Sequence, residues 1–258
     1  MNNIHPTAIL ESGARISKEV RVGPYCVIGS EVEIEDRVEL QSHVVITGKT
    51  KIGAGTKIYP FASIGQTPQI LKNPGDSNKL IVGTNNIIRE YVTIQSGSAD
   101  GGGLTRVGDN CLLMVGVHIA HDCIVGNRVV IANYSSLAGH VQVGDGAIIG
   151  GLSAVHQFVR IGSYAMLGGA SALARDLIPF GIAKNERARL EGLNLVGLKR
   201  NNFQKEHIVE ALRAIHHFRT SDDNFDDRIQ KLSRSLDNDI IKSIIEFLNS
   251  KSKRSFLC

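Results

Sequence analysis

The fold is decided by the stretch from residue 107 to residue 173, which reads VGDNCLLMVGVHIAHDCIVGNRVVIANYSSLAGHVQVGDGAIIGGLSAVHQFVRIGSYAMLGGASAL. An aliphatic residue stands at every sixth position of this stretch: Val107, Leu113, Ile119, Val125, Ile131, Leu137, Val143, Ile149, Val155, Ile161, Leu167 and Leu173. A period of six matches neither a helix, with a period of about 3.6, nor an alternating strand, with a period of about 2. The chain therefore turns after each short segment with one apolar side chain inward, which predicts a hexapeptide-repeat parallel β-helix.

The same period runs through the beginning of the chain, from Ile4 to Ile64, and a second pattern accompanies it. Two residues before each aliphatic the side chain is small or narrow, as at Cys26 and Ser135, which suits a tight corner. Three segments make one coil of about eighteen residues, and stacked coils are expected to lie about 4.8 Å apart. Two patterns that keep one register argue against a chance repeat.

Two segments interrupt the repeat, at residues 66–79 and 96–105. After the first, Ile88 and Ile94 continue the earlier count, whereas the glycine-rich second segment shifts the count by one. Loops that leave a solenoid are common places for binding groups. For the second segment, SGSADGGGLT, plain flexibility is an equally good interpretation.

Beyond residue 180 the spacing of apolar residues becomes helical, as in Ile240, Ile241, Ile244, Ile245 and Leu248. Polar runs at 221–224 and 237–239 stand where helices are expected to end and begin. We therefore predict two domains: the β-helix over residues 1–183 and a helical domain of three or four short helices over residues 184–258.

Charge and composition exclude little but set limits. The 258 residues carry a formal net charge of +4 with scattered Lys and Arg, which gives no case for nucleic-acid binding. The start, MNNIHPTAIL, lacks a secretory pattern and no apolar run reaches membrane-spanning length, so we expect a cytoplasmic protein without membrane insertion. Cys26, Cys111 and Cys123 occupy small-residue positions, and Cys258 ends the chain. We interpret the first three as apolar fillers rather than disulfide or metal ligands.

Four of the nine histidines lie in the second repeat run: His118, His121, His140 and His156. Counted in coils, the last three fall within one residue of the same edge, so we expect them to form a short column. Closely stacked imidazoles repel one another when charged, so some are expected to be neutral, and a neutral imidazole beside a cleft is a candidate general base. The alternatives are solvated corner residues or a shared zinc site; the histidine spacing argues against zinc.

The motifs HIAHD (118–122), LAGH (137–140), IIGGLSAVHQF (148–158) and GLKRNNF (197–203) resemble the UDP-N-acetylglucosamine acyltransferase family over nearly the whole chain. The resemblance implies a mainly β fold, a left-handed parallel β-helix with a C-terminal α-helical domain, assembled as a homotrimer with sites between subunits. It also implies transfer of an (R)-3-hydroxyacyl group from acyl carrier protein to the 3-hydroxyl of UDP-N-acetylglucosamine, the first step of lipid A biosynthesis. Such a transfer needs a base and an oxyanion donor, with no cofactor and no metal.

The resemblance also implies roles for individual residues. His121 matches the general base with Asp122 beside it, and Gly139 matches the residue whose N–H stabilises the oxyanion. The matches to substrate-binding positions are Gln69, Lys72, His118, His140, His156, Gln157, Asn194 and Arg200. Met166 and Gly169 match positions that set the length of the acyl chain, and we expect Gly169 one coil beyond His156, near the top of the cleft.

Three positions depart from the family pattern: Ile70 replaces a carboxylate that contacts the sugar, Val196 a glutamate, and Asn201 an arginine. These changes leave open a 3-amino analogue of the sugar nucleotide as acceptor. A related hexapeptide-repeat N-acyltransferase is a further alternative, although such enzymes usually carry an extra N-terminal domain. A coenzyme A-dependent small-molecule acyltransferase and a purely structural solenoid are the remaining ones.

Overall fold

The computed structural model describes residues 3–71, 78–233 and 237–257 of the chain. Its β part consists of short strands, most of them two residues long, joined by tight corners. In chain order the strands are β1 (Asn3–Ile4), β2 (Ile9–Leu10), β3 (Arg15–Ile16), β4 (Arg21–Val22), β5 (Val27–Ile28), β6 (Glu33–Ile34), β7 (Glu39–Leu40), β8 (Val45–Ile46), β9 (Lys49–Ile52), β10 (Lys57–Ile58), β11 (Ser63–Gln66), β12 (Lys79–Val82), β13 (Ile87–Ile88), β14 (Thr93–Gln95), β15 (Leu104–Val107), β16 (Leu112–Leu113), β17 (His118–Ile119), β18 (Ile124–Val125), β19 (Val130–Ile131), β20 (Ser136–Leu137), β21 (Gln142–Val143), β22 (Ile148–Ile149), β23 (Ala154–Val155), β24 (Arg160–Ile161), β25 (Met166–Leu167), β26 (Ala172–Leu173), β27 (Gly181–Lys184) and β28 (Arg189–Leu193).

The strands form the three faces of a prism. The first sheet, with 11 strands, runs from β1 through β4 and β7 to β28; the second, with 9, runs from β2 to β26; the third, with 8, runs from β3 to β24. Neighbouring strands are parallel, except that β28 pairs antiparallel with β27. Arg21 pairs with Asn3 and Glu39 with Arg21, so each coil has the length that the sequence period predicts. The predicted class, a left-handed parallel β-helix, is confirmed.

The core is the column of period-six aliphatic residues inside the prism, from Val22 through Ile119 to Leu173, which are almost completely buried. Burial of each of these side chains contributes roughly 1.5–3 kcal/mol. The first coil departs from the prediction, because Leu10 is 38% exposed. Its side chain has the inward register, but among the described residues its strand β2 pairs on one side only, with β5.

The three cysteines of the repeat are buried and free, as expected of apolar fillers. Burial raises the pKa of Cys111 to about 11 and that of Cys123 to about 12. Such thiols stay protonated and are poor nucleophiles. Cys258 lies outside the described residues.

The aliphatic residues pair across both interruptions, although the second interruption shifts the sequence count by one. Ile58 pairs with Ile88 across the first interruption, and Ile88 pairs with Leu113 across the second. Because the aliphatic residues still meet, the aliphatic column of the core continues past both interruptions.

The helical part begins after β28, which extends the first sheet to Leu193. The described helices are α1 (Leu195–Arg200), α2 (Lys205–Thr220), α3 (Phe225–Leu232) and α4 (Asp239–Asn249). Asn224 and Asn238 cap α3 and α4 with their side-chain oxygens, within the polar runs that the sequence singled out. The predicted division between residues 183 and 184 falls within β27, and it stays a prediction. Within the described ranges, the helices are too short or too polar to cross a lipid bilayer.

The end of the chain returns to the solenoid and is fastened there by a buried ion pair. Asp176 Oδ2 lies 2.7 Å from Arg160 Nε, and it also accepts a hydrogen bond from Ser252 Oγ at 2.6 Å. Asp176 additionally forms a backbone bridge with Phe256. We call residues 250–257 the C-terminal clasp.

Candidate active site

The histidines that the sequence singled out surround one edge of the prism, between the second and third sheets. Successive coils stack residues 120–122, 138–140 and 156–158 at this edge, which we call the histidine corner. The third residue of each row has positive φ: Asp122 at 59°, His140 at 62° and Phe158 at 67°. Backbone hydrogen bonds join the rows, from His140 N to His121 O at 3.0 Å and from Phe158 N to Gly139 O at 3.1 Å.

His121 and Asp122 form a hydrogen-bonded pair, with 2.7 Å between His121 Nδ1 and Asp122 Oδ2. From strand geometry, neighbouring residues are expected to point to opposite faces, which makes this pair a weak candidate. That expectation is wrong here, because both residues lie on the corner and the positive φ of Asp122 turns its side chain back toward His121. Both side chains are largely buried.

The glycine-rich second interruption holds the carboxylate of this pair. Ser98 N donates to Asp122 Oδ1 at 2.9 Å, and Ser98 Oγ donates to Oδ2 at 2.6 Å. Thr105 Oγ1 accepts the hydrogen bond of Asp122 N–H at 2.8 Å. Burial alone would raise the pKa of Asp122, but the hydrogen bonds from Ser98 and His121 bring it below its usual value. The loop is therefore a built support, and its interpretation as plain flexibility is wrong.

The ionised carboxylate fixes the tautomer of His121. A carboxylate without a proton can only accept, so Nδ1 of His121 carries the hydrogen and donates it to Asp122. Nε2 then keeps its lone pair and is free to take a proton. This is the arrangement that a general base requires.

Gly139 lies directly against the His121 ring. A Cβ added at Gly139 would be 2.6 Å from Cε1 and 2.7 Å from Nε2 of His121, so a side chain there would displace the ring. Within residues 3–71, 78–233 and 237–257, no acceptor receives the Gly139 N–H. The residue that has this unpaired N–H therefore lies against the ring that has the basic nitrogen.

His140 completes the corner. Its ring meets that of His121 edge-on with 5.2 Å between centroids, and it stacks on Phe158 at 4.5 Å. Burial lowers the pKa of His140, Asp122 opposes this, and His121 and Lys253 add to the lowering. His140 is therefore neutral at pH 7.

His118 and His156 stand apart from this ring pair, so the expected column is only partly formed. His118 projects from β17 toward Thr93 Oγ1, 2.7 Å from its Nδ1, and burial lowers its pKa. His156 Nδ1 lies 2.7 Å from Arg254 Nη2 of the C-terminal clasp. Counting residues by coil shows in which coil a residue lies but not where its side chain points. The side-chain direction differs between the three positions of a corner.

The depressed pKa values predict that stability falls in mild acid. The unfolded chain binds protons at His118 and His140 near pH 6.5, whereas the folded protein resists them to lower pH. The free energy of unfolding is thus fully retained above about pH 6.5 and lost as pH falls through the folded pKa values. We expect the urea midpoint to drop between about pH 7.5 and 5.5, and to drop less in the double variant His118→Asn, His140→Asn. An equal drop in both proteins would contradict this assignment.

One atom each of His121, Asp122 and His140 lies within 4.8 Å of the others, a grouping that suits a metal ion in size. In this structure the carboxylate oxygens accept hydrogen bonds from Ser98 and His121 instead. A cation bound by the Asp122 oxygen and His121 Nδ1 would have to displace the proton between them. The arrangement is better suited to proton transfer.

Of the remaining predicted residues, Gln69 lies in the interruption between β11 and β12, which leaves the prism at this same edge, whereas Asn194 and Arg200 lie elsewhere. Gln69 is exposed in the first interruption and donates its N–H to Gln95 Oε1 at 3.3 Å, and Lys72 lies outside the described residues. Asn194 is buried; it caps α1 at Gly197 N and donates to Tyr164 O at 3.0 Å, and Arg200 is exposed at the end of α1. Tyr164 belongs to the corner between the third and first sheets, so Asn194 is not at the histidine corner of its own chain.

The two acyl-ruler residues also lie away from the histidine corner. Met166 is on the outer face of the first sheet, and exposed Gly169 is at the corner between the first and second sheets. The expectation that Gly169 stands one coil beyond His156 is therefore wrong: the second sheet separates the two edges. The period counts segments of six, and these residues are two segments apart, whereas a full coil has three.

Ser98, Thr105, Phe158 and Arg254 are the contacts of the site that the sequence did not predict. Ser98 and Thr105 lie in the glycine-rich interruption, and the break in the repeat was the sequence feature that could have indicated them. Phe158 stands eighteen residues after His140, so the coil count could have found it. Arg254 has no signal in the repeat, because the clasp reaches the corner from the other end of the chain.

Comparison with known proteins finds relatives that share one enzyme name. A sequence model described as Udp N-acetylglucosamine O-acyltransferase, domain 2, matches residues 176–257, and one described as bacterial transferase hexapeptide (six repeats) matches residues 4–48 and 104–139. The chain is 56% identical over 256 residues to the acyl-[acyl-carrier-protein]–UDP-N-acetylglucosamine O-acyltransferase of Rickettsia canadensis (strain McKiel), covering 99% of this chain and 97% of the relative. The enzyme of that name from Rickettsia typhi is 57% identical with the same coverage.

Solved structures agree with the sequence comparison. The crystal structure of UDP-N-acetylglucosamine O-acyltransferase from Moraxella catarrhalis RH4 superposes with a TM-score of 0.95 at 41% identity, covering 99% of this chain and 100% of that one. The UDP-N-acetylglucosamine acyltransferase of Francisella novicida gives a TM-score of 0.94 at 33% identity, covering 98% and 93%. The similarity therefore extends through both the solenoid and the helical part.

Proposed function

Since the chain belongs to the UDP-N-acetylglucosamine O-acyltransferase family and is an acyltransferase, we propose that it moves an (R)-3-hydroxyacyl group from acyl carrier protein to the 3-hydroxyl of UDP-N-acetylglucosamine, the first step of lipid A biosynthesis. The observation that carries the proposal is the His121–Asp122 pair with the free N–H of Gly139 beside it. This combination provides what thioester-to-alcohol transfer needs: a base for the alcohol and a donor for the oxyanion.

The steps follow from the tautomer of His121. Nε2 takes the proton of the acceptor hydroxyl while the hydroxyl oxygen attacks the thioester carbonyl carbon. The carbonyl electron pair moves to oxygen, and the Gly139 N–H donates a hydrogen bond to the oxyanion. Collapse reforms the carbonyl and breaks the C–S bond, and the departing thiolate of the carrier receives the proton from His121. Asp122 stabilises the imidazolium that exists between these two proton transfers.

The positions of the proposed site residues support a homotrimer with sites between its chains. His121, Asn194 and Gly169 lie on three different edges of one prism, so a substrate that touches all three has to lie between neighbouring chains. The edge between the first and second sheets also exposes a column of apolar and aromatic side chains: Tyr25, His43, Phe61, Tyr91, Tyr134 and Leu152. A long exposed apolar stripe of this kind is typical of a protein interface.

We expect light scattering at micromolar concentration to give the mass of three chains. A packed interface along the aromatic edge should keep the assembly intact on tenfold dilution. Tyr91→Asp together with Tyr134→Asp places two charges in that edge and is expected to yield smaller species. A one-chain mass for the unaltered protein would contradict the shared site.

The proposed acyl groove has an apolar floor. Along the outer face of the first sheet, Ile87, Leu112, Val130, Ile148 and Met166 pair in successive coils, so their side chains form a continuous stripe. The earlier coils of the same face carry Arg21, Glu39 and Lys57 instead. The stripe continues to Ile182, the partner of Met166, and passes beside the corner that contains Gly169, which supports a chain-length role for that residue.

Gly169→Met is expected to shift the preference toward donors several carbons shorter. Its backbone lacks the positive φ that would exclude a side chain, and an added Cβ would come no closer than 3.2 Å, to Gly151 O. The substitution therefore fills the groove at little cost in stability. Each methylene of the acyl tail gains about 0.8 kcal/mol on burial, so four lost methylenes weaken a long donor by roughly 3 kcal/mol. The measurement is kcat/KM over a series of acyl-carrier-protein donors, and an unchanged profile would place the ruler elsewhere.

The acceptor is tested directly because Ile70 stands where the family has a carboxylate, and Ile70 is half-buried in the first interruption. Purified protein is incubated with UDP-N-acetylglucosamine or its 3-amino analogue, and with 3-hydroxyacyl carrier protein or acetyl-coenzyme A. Turnover of the carrier with UDP-N-acetylglucosamine supports the proposal. A strong preference for the 3-amino analogue assigns the alternative acceptor, and turnover only with acetyl-coenzyme A overturns the proposal.

A further inference from the structure

The C-terminal clasp reaches the histidine corner with two cationic side chains. Arg254 Nη2 lies 2.7 Å from His156 Nδ1, and Arg254 Nε donates to Gln157 O at 2.9 Å. Lys253 Nζ lies 4.1 Å from the centre of the Phe158 ring. The clasp thus contacts all three residues of the uppermost row of the corner.

The contact with Arg254 decides which ring nitrogen of His156 holds the hydrogen. A guanidinium group has only donors and keeps its charge, so His156 Nδ1 has to accept with its lone pair. The single ring hydrogen of the neutral imidazole then sits on Nε2. His156 Nδ1 is also 3.2 Å from Gln157 O, but a bond there would need a hydrogen on Nδ1. The shorter contact prevails, and Gln157 O is satisfied by Arg254 Nε instead.

We propose that Arg254 is a positioning residue that holds His156 as the neutral Nε2–H tautomer, so that His156 offers a hydrogen-bond donor to an acceptor oxygen of the substrate. The substrate part of this statement rests on the proposed function, whereas the tautomer does not. His121 and His156 are then held in opposite tautomers. Asp122 makes Nε2 of His121 an acceptor, and Arg254 makes Nε2 of His156 a donor.

The opposite tautomers give His121 and His156 different roles at the histidine corner. A ring that donates at Nε2 cannot take the proton of the acceptor hydroxyl, so His156 does not compete with His121 as base. Its N–H suits a carbonyl, hydroxyl or phosphate oxygen instead. The direction of each ring is thus set by the charge of its partner.

The clasp holds Arg254 in place independently of His156. Arg254 N donates to Ser252 Oγ at 3.0 Å, and Ser252 Oγ donates to buried Asp176. Arg160 closes the same cluster through Asp176 Oδ2 and, at its Nη1, through Ser250 Oγ. Because these contacts do not involve the Arg254 side chain, its replacement is expected to leave the clasp attached.

The test is nitrogen NMR of the full-length protein carrying 15N-labelled histidine, with the His156 signals assigned by their loss in His156→Gln. In the unaltered protein we expect an unprotonated Nδ1 and a protonated Nε2 at His156. Arg254→Met removes the donor at similar side-chain length and should give a mixture of tautomers, and Arg254→Lys should restore the original state in part. Lys251→Met is the matched control, since it removes an exposed cation of the same clasp and should change nothing. A hydrogen on Nδ1 in the unaltered protein, or a tautomer indifferent to Arg254→Met, overturns the proposal.

A kinetic measurement separates this proposal from the proposed function. Arg254→Met is expected to raise KM for one substrate about tenfold, the size of one hydrogen bond, with kcat within a few-fold and with Lys251→Met unchanged. If the NMR result holds but the unaltered protein lacks transferase activity, the proposed function fails and the tautomer assignment stands. If activity is present and Arg254→Met alters neither KM nor the tautomer, the assignment fails and the function stands. Unfolding midpoints within a few degrees of the unaltered protein exclude a loss of the clasp.

Discussion

Replacing His121 by alanine is expected to lower kcat by roughly 100- to 10,000-fold, the usual contribution of a general base. The ring is the group at the histidine corner that combines a carboxylate partner at Nδ1 with an open Nε2. Without it, the acceptor hydroxyl has to lose its proton to water. His140 is a poor substitute, because its approach to Asp122 Oδ2, at 3.8 Å, is too long to be a hydrogen bond that fixes a tautomer.

The His121→Ala variant should fold and assemble normally. The ring lies outside the aliphatic column of the core, so its removal creates no cavity there. His216→Ala, an exposed histidine of α2, is the matched control and should keep full activity. Turnover of His121→Ala within a few-fold of the unaltered protein, with the same mass, would move the role of base to another residue.

Gly139→Ala is expected to lower kcat by about 100-fold while the protein stays folded. The backbone of Gly139 has no positive φ, so alanine is allowed there, but its methyl group would sit 2.6–2.7 Å from the His121 ring. The ring is a side chain that can swing aside at small cost to stability. A shift of about 1 Å in a catalytic group can cost 10²-fold in rate.

The control for this variant is Gly29→Ala, at a corner on the same edge several coils away. There the nearest atom to an added Cβ is 3.3 Å distant, and no predicted site residue is touched. We expect near-normal kcat for Gly29→Ala and unfolding midpoints close to the unaltered value for both variants. If Gly139→Ala keeps full activity, the position of the His121 ring beside Gly139 is not needed for catalysis.

The solenoid could be predicted from the sequence because its rule is short-range and repeated. Each segment sends one aliphatic residue inward, so the period alone gives the strands, the coil length and the register. Even the interruptions obey it: Ile58 meets Ile88, as the unchanged count predicted. The exposed Leu10 shows the limit of the rule, because a repeat does not say which coil has a neighbour on only one side.

The sequence predicted which coil each histidine of the candidate site belongs to, but not which way its side chain points. Counting by coils brought His121 and His140 together correctly, because they occupy neighbouring coils. The same count put His156 in the next row of that edge but did not give the direction of its side chain. Strand alternation underrated Asp122, because the third position of a corner has positive φ. Ser98 and Arg254 come from the loop and the tail, where no period exists. Their contacts depend on how these two nonrepeating segments pack against the prism.

The exposure of Leu10 indicates which part of the solenoid unfolds first. A solenoid is a stack in which each layer is stabilised mainly by its immediate neighbours, so opening spreads from the least supported end. Among the described residues that end is the coil of β2, where Leu10 faces solvent, whereas the helices and the clasp pack against the opposite end. Several layers lie between the weak end and His121. The early coils can therefore unfold one at a time. The proposed catalytic site at His121 lies beyond them and keeps its structure while they do.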